Sequence, residues 1–92
     1  MPYIKQEQRD LIDSEIDELI EAIKIVASDE TTIKGVLNYT FTTIMVKLMG
    51  KLNYSKINDF IGVLECCKLE LYRRVAFYED RKIKENGDVY PN

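Results

Sequence analysis

At 92 residues this chain can form one small domain, and its 46% hydrophobic and 32% charged residues are typical of folded rather than disordered protein. A net charge of −3 argues against binding of long nucleic acid, which needs a broad basic surface. No apolar run approaches the roughly 18 residues of a membrane span and the N-terminus lacks the features of a signal peptide, so we expect a cytoplasmic protein without membrane contact.

The distribution of charge and cysteine restricts the chemistry further. Residues 1–30 carry nine acids and three bases, whereas residues 31–64 carry four bases and one acid, which permits contact between an acidic and a basic segment of two copies. Histidine is absent, and the only cysteines, Cys66 and Cys67, are adjacent. Because a zinc site then has no plausible ligand set, we expect no metal, no cofactor and no histidine-dependent catalysis.

The first helical pattern is predicted as two pieces, over about 5–12 and 14–27. Ser14 and Asp17 have the spacing of a capping box, which predicts a helix start and therefore a break near residue 13. The apolar residues that follow recur at helical spacing: Ile16, Leu19, Ile20, Ile23 and Val26. A polar loop over 28–32 then ends in a second candidate N-cap.

The second helix is predicted over about 32–51, with Gly50 at the expected C-terminal stop. Residues 39–46 are rich in threonine, isoleucine, phenylalanine and valine, so a strand is an alternative there. The wider spacing of apolar residues favours the helix. The residues expected to face inward are Ile33, Val36, Leu37, Phe41, Ile44, Met45 and Leu48.

The third helix is predicted over about 55–85, with Ser55 as its N-cap, followed by a short tail over 86–92. Thirty residues make a rod of about 45 Å, which is longer than a globule of this size is wide. Either the helix kinks near residue 76, or its distal end packs against another subunit, and we expect a homo-oligomer. The inward face is predicted to contain Ile57, Phe60, Ile61, Leu64, Leu71, Tyr72 and Val75.

The third helix also carries the candidate ligand site. A guanidinium beside an aromatic ring suits a planar base that carries phosphate, and Arg74 and Tyr78 are four residues apart on the helix, as are Lys68 and Tyr72. The complete set of candidate ligand-binding residues is Arg73, Arg74, Lys68, Tyr72, Tyr78, Asn53, Tyr54, Asn86, Asp88 and Tyr90. The alternative is that Arg74 forms a surface ion pair with Glu70 and that Arg73 lines an interface without a small ligand.

A magnesium-dependent nucleotide hydrolase is the second alternative, with Glu15, Glu18, Glu65 and Glu70 as its carboxylates. Such a site needs carboxylates that converge from at least two helices. The second helix offers none, so solvated helix faces explain these acids better and we do not expect an enzyme.

Four stretches carry a resemblance to a known family: M-P-Y-I-K-Q-E-Q-R, L-N-Y, I-G-V-L-E-C-C-K-L-E-L-Y-R-R-V and Y-E-D-R-K-I-K-E-N-G-D-V-Y. Over nearly its whole length the chain resembles a short, uncharacterised helical family of phages, bacteria and archaea. The resemblance implies an all-α fold and an E-N-G-D-V-Y ending that belongs to the protein.

In size, helical content and possession of an Arg/Tyr patch, the chain is also similar to the small phage sponge proteins that sequester host nucleotide signals. By this similarity we expect a non-enzymatic homo-oligomer that binds a small cyclic or linear nucleotide at a subunit interface. If the protein is phage-encoded, it would act in the host cytoplasm. The alternative remains a structural or regulatory protein-interaction module.

Overall fold

The computed structural model describes residues 2–90, and over that range the fold is all-α without any strand. It contains three helices, α1 (Gln6–Val26), α2 (Glu30–Met49) and α3 (Tyr54–Asn86). The predicted fold class is therefore confirmed. The end of the predicted tail, residues 91 and 92, lies outside the described residues.

Within the described range the chain divides into two compact units. The first, over 2–57, contains α1, α2 and the first turn of α3, and the second, over 58–90, contains the remainder of α3 and the tail. The candidate ligand residues are divided between these units, because Asn53 and Tyr54 belong to the first and all the others to the second.

One continuous helix, α1, replaces the two predicted pieces, so the predicted break near residue 13 is wrong. Ser14 lies in the helix interior. The reason is that no glycine or proline occurs between Gln6 and Val26 and apolar residues continue at helical spacing through the supposed break. The helix begins after Lys5, whose backbone N–H donates to Oε1 of Gln8 at 3.0 Å.

The ends of α2 differ from the predicted 32–51 because Asp29 provides the cap. Its Oδ1 accepts hydrogen bonds from the backbone N–H of Thr32 at 2.7 Å and from the hydroxyl of Thr32 at 2.8 Å. The helix therefore begins at Glu30 and ends at Met49. Gly50 follows with a φ of 63°, which confirms it as the stop.

The alternative of a strand over 39–46 is wrong. Thr40 donates its hydroxyl to the carbonyl of Val36 at 2.7 Å, and Thr42 donates to Oδ1 of Asn38 at 3.3 Å. In these contacts the threonine hydroxyls find partners one turn earlier on the same helix. Tertiary packing against α1 supplies the rest of the helical preference.

The α1–α2 hairpin has a partial core, in which Ile23 of α1 and Ile33, Val36 and Leu37 of α2 are half-buried. No described residue in either unit is fully buried. Some residues predicted to face inward are well exposed, and Leu48 is 70% exposed. The hydrophobic face of the hairpin is thus covered over only part of its area.

The third helix, α3, begins one residue earlier than predicted because Asn53 caps it in place of Ser55. Oδ1 of Asn53 accepts from the backbone N–H of Lys56 at 2.9 Å. The helix continues to Asn86, one residue beyond the predicted end, and Gly87 then adopts a φ of 94°. The predicted stop at Asn86–Gly87 is confirmed.

The predicted inward face of α3 is not a core within the chain. Phe60 is half-buried, but the other members of that face are exposed, and Leu71 is 68% exposed. Helical spacing predicted which residues form the apolar side of α3, and among the described residues most of that side is exposed.

Candidate functional site

The two central arginines of α3 converge on one carboxylate. Nη2 of Arg73 donates to Oε1 of Glu70 at 2.7 Å, and Nε of Arg74 donates to the same oxygen at 3.3 Å. Arg73 also donates from Nε to Oε2 at 3.3 Å, which makes its contact bidentate. The predicted ion pair between Glu70 and Arg74 is confirmed, and Arg73 shares it.

The two arginines and their acid differ in exposure. The side chain of Glu70 is 18% exposed, whereas those of Arg73 and Arg74 are 64% and 62% exposed. The carboxylate therefore lies beneath two guanidinium groups that face solvent. An external anion could reach both guanidiniums, but it would compete with Glu70 for their N–H donors.

The other predicted cation, Lys68, forms an ion pair with Glu65 at 3.0 Å. Cations do lie over aromatic rings further along α3. Nζ of Lys82 is 5.6 Å from the ring centroid of Tyr78 and the guanidinium carbon of Arg81 is 5.9 Å from that of Phe77. Lys82 was not among the predicted site residues, although its spacing from Tyr78, four residues, was available as a signal.

Tyr72 is held by a contact two turns along the helix. Its hydroxyl donates to Oε1 of Glu79. This hydrogen bond raises the pKa of Tyr72 above its ordinary value, the negative charge of Glu79 adds to the effect, and Tyr90 contributes a smaller increase.

The tail turns after α3 and forms a groove with its last turns. The N–H of Gly87 donates to the carbonyl of Ile83 at 2.7 Å, and the N–H of Tyr90 donates to Oδ1 of Asp88 at 2.9 Å. A groove of about 370 Å³ results, whose lining includes Tyr78, Lys82, Ile83, Asn86, Val89 and Tyr90. Among the predicted residues, Tyr78, Asn86, Asp88 and Tyr90 are brought together here.

The family described as a domain of unknown function, DUF6899, matches residues 1–89. The chain belongs to this family. No curated protein and no solved structure matches the chain. Membership of DUF6899 agrees with the resemblance to an uncharacterised family and supplies no activity, so the geometry of the DUF6899 side chains must carry the functional argument.

Two other predicted residues lie at the start of α3 in this DUF6899 chain. Oδ1 of Asn53 accepts the hydrogen bond that caps α3, so this oxygen already has a partner within the fold. Tyr54 is exposed and forms part of the first helical turn. Both belong to the unit that contains α1 and α2.

The carboxylates predicted for a hydrolase do not form a metal site. Across residues 2–90, no group of three or more acids or cysteines is placed to hold a metal ion. Glu65 and Glu70 already contact basic side chains. The same residues contain no helix that is long and apolar enough to cross a membrane.

A groove at the N-terminus was missed by the sequence reasoning. It lies between the extended segment before α1 and the first turns of that helix, and its lining includes Tyr3, Arg9 and Asp13. The available signal was an aromatic residue and an arginine on either side of the helix start, followed by isoleucines at helical spacing.

Proposed function

We propose that this DUF6899 chain is a non-enzymatic binding protein that acts as a homo-oligomer. The apolar helix faces contact other copies, and exposed cationic and aromatic side chains hold a small anionic ligand of nucleotide type at or near a subunit interface. The observation that carries the proposal is that no described residue is buried in a chain that is 46% hydrophobic.

Exposed apolar residues supply the driving force for assembly. On α3 alone, Leu71 and Phe77 are 68% and 62% exposed, and Tyr78 is also exposed. Large exposed apolar side chains in this number are typical of surfaces that contact other proteins. Burial of 600 Å² of apolar surface per subunit would contribute about 15 kcal/mol before the costs of association are subtracted.

The guanidinium groups of Arg73 and Arg74 are the side chains that would bind the phosphate of a ligand. Both groups face solvent, and a phosphate that displaces Glu70 would gain charge-assisted hydrogen bonds from two planar forks. The ring of Tyr78 lies one turn away from Arg74 on the same side of the helix, where it could stack a base.

A protein-interaction module without a small ligand is the second candidate. It is favoured by the contact of both guanidinium groups with Glu70, which already neutralises part of their charge. In this alternative the Glu70 cluster would stiffen α3, and the exposed apolar faces would be the functional surface.

The biological role that we propose is sequestration of a nucleotide signal by a phage-encoded protein. Support comes from the resemblance of its sequence segments to a family that occurs in phages and from its small size and helical fold. A protein that sequesters a signal returns the ligand unchanged. Recovery of intact nucleotide would therefore separate this role from hydrolysis.

Native mass spectrometry with a panel of cyclic and linear nucleotides tests the proposal, because it reports stoichiometry and bound mass together. We expect an oligomer that carries intact nucleotide. A double variant with Arg73→Lys and Arg74→Lys should lose ligand, whereas Lys24→Ala, which removes an exposed cation on α1, should retain it. An oligomer that binds no nucleotide would overturn the ligand and favour the interaction module, and a monomer would overturn the homo-oligomer.

A further inference from the structure

The N-terminal groove is the second region of the chain that combines a cation with an aromatic ring. It has a volume of about 440 Å³, and its lining includes Tyr3, Ile4, Arg9, Ile12, Asp13 and Ile16. Pockets for small ligands range from about 300 to 1,000 Å³, so the volume of this groove suits a ligand of the size of one nucleotide.

Among residues 2–90, Arg9 is the one arginine for whose guanidinium no contact is found. Arg73 and Arg74 contact Glu70, and Arg81 lies over Phe77. Across the described residues, the side chain of Arg9 makes no hydrogen bond or ion pair. Its five N–H donors are available to a ligand without loss of an internal contact.

The groove is formed by local backbone structure. The N–H of Lys5 donates to the side chain of Gln8, and the N–H of Arg9 donates to the carbonyl of Lys5 at 3.0 Å. These contacts set the point at which the extended segment enters α1. Ile12 and Ile16 then lie one turn apart along the same wall.

We propose that this groove binds a mononucleotide, with the guanidinium of Arg9 on the phosphate and the ring of Tyr3 against the base. A planar fork matches two phosphate oxygens, and an aromatic ring with aliphatic neighbours matches a base. The inference rests on the proposed function for its ligand class but places a site in a different part of the chain.

Asp13 provides a sharp test of the assignment. Its carboxylate lines the same groove and would repel a phosphate bound to Arg9. Asp13→Asn removes that charge at nearly constant shape. If Arg9 holds phosphate, this variant should bind AMP more tightly, by roughly twofold to fivefold.

The experiment is isothermal titration calorimetry of the full chain with AMP, with inorganic phosphate and adenosine as separate arms. AMP should bind more tightly than either fragment. Arg9→Lys should weaken AMP binding about tenfold or more and Arg9→Ala by up to about a hundredfold, while the matched control Arg81→Lys should leave it unchanged. Circular dichroism should show equal helix content, because the guanidinium of Arg9 contacts no other side chain within the part of the chain that the structure describes.

Two outcomes overturn the inference. The first is AMP affinity that does not change in Arg9→Lys, and the second is absence of AMP binding at millimolar concentration. Loss of nucleotide binding in the variants of Arg73 and Arg74, with Arg9→Lys unaffected, would leave the proposed function standing and remove only this site. Loss in Arg9→Lys alone would support this site and remove the arginine pair from the ligand.

Discussion

Replacement of Glu70 by glutamine removes the charge that Arg73 and Arg74 share while nearly preserving the shape of the side chain. Three donor–acceptor contacts between 2.7 and 3.3 Å lose their ionic character. Pairs of this spacing on a helix contribute about 0.3–0.5 kcal/mol each, and the low exposure of Glu70 reduces solvent screening. We therefore expect Glu70→Gln to lower the free energy of unfolding by about 1 kcal/mol.

For a domain of this size, about 1 kcal/mol corresponds to a decrease of about 4–8 °C in Tm. The matched control is Glu65→Gln, which removes one ion pair with the exposed Lys68. That variant should lower Tm by about 2 °C. Thermal unfolding followed by circular dichroism should be measured at one protein concentration, since association changes Tm.

Salt and ligand give two further measurements on the same variant. In about 1 M NaCl, where the Debye length is about 3 Å, the difference between Glu70→Gln and the parent should shrink. The variant should also bind nucleotide more tightly if Arg73 and Arg74 form the ligand site, because Glu70 no longer competes for them. A decrease in Tm no larger than that of Glu65→Gln would refute the shared carboxylate.

Four other perturbations test separate parts of the structure. Gly87→Ala should destabilise the tail by about 1–2 kcal/mol because φ is 94°, and unchanged hydrogen exchange in the tail would contradict this. Hydrogen bonds from Thr32 lower the pKa of Asp29, so their stabilisation is present above the ordinary value of 3.8 and is lost as pH falls through the lowered value. Asp29→Asn should keep the helix cap and remove this fall in stability at acid pH, as measured by urea unfolding at several pH values. Asp29→Ala should lose the cap and have a lower free energy of unfolding at neutral pH. The pKa of Tyr72 is raised, so its hydrogen bond stabilises the fold fully below the ordinary value of 10.0, and this stabilisation is lost as pH rises through the raised value. Tyr72→Phe should therefore make the free energy of unfolding depend less on pH in the alkaline range. Truncation after Glu85 should lower Tm or the mass of the oligomer, and an unchanged melt and mass would contradict a structural role for the tail.

Local sequence signals predicted the helices and their stops well. Gly50 and Gly87 both adopt positive φ where the sequence predicts helix ends. The errors arose at helix starts. Ser14 was predicted as a start inside α1, the end of the loop over 28–32 was preferred to Asp29 for α2, and Ser55 was preferred to Asn53 for α3. Serine, threonine, aspartate and asparagine are all good cap residues by type, and only the observed bonds to Thr32 and Lys56 select Asp29 and Asn53.

The sequence predicted which residues of α3 and the tail are candidates for binding a ligand, but only some of the contacts between them. Spacing along one helix correctly placed Arg74 beside Glu70, since residues four apart are neighbours on a helix surface. Arg73 is three residues from Glu70, a spacing that also makes neighbours on a helix, but spacing does not select the rotamers that bring both guanidiniums to one carboxylate oxygen. Nor could it reveal the N-terminal groove, which depends on the path of the extended segment before α1.

The sequence by itself determined that this chain is helical, through the spacing of its apolar residues. Its glycines determined where the second and third helices end, and its lack of histidine excluded histidine-dependent catalysis. These properties depend on neighbours within one or two helical turns, which the order of residues specifies directly. Tertiary structure decided which apolar faces are covered and which arginines are paired among residues 2–90. Those outcomes depend on contacts and rotamers in three dimensions, where one carboxylate can accept hydrogen bonds from two guanidiniums.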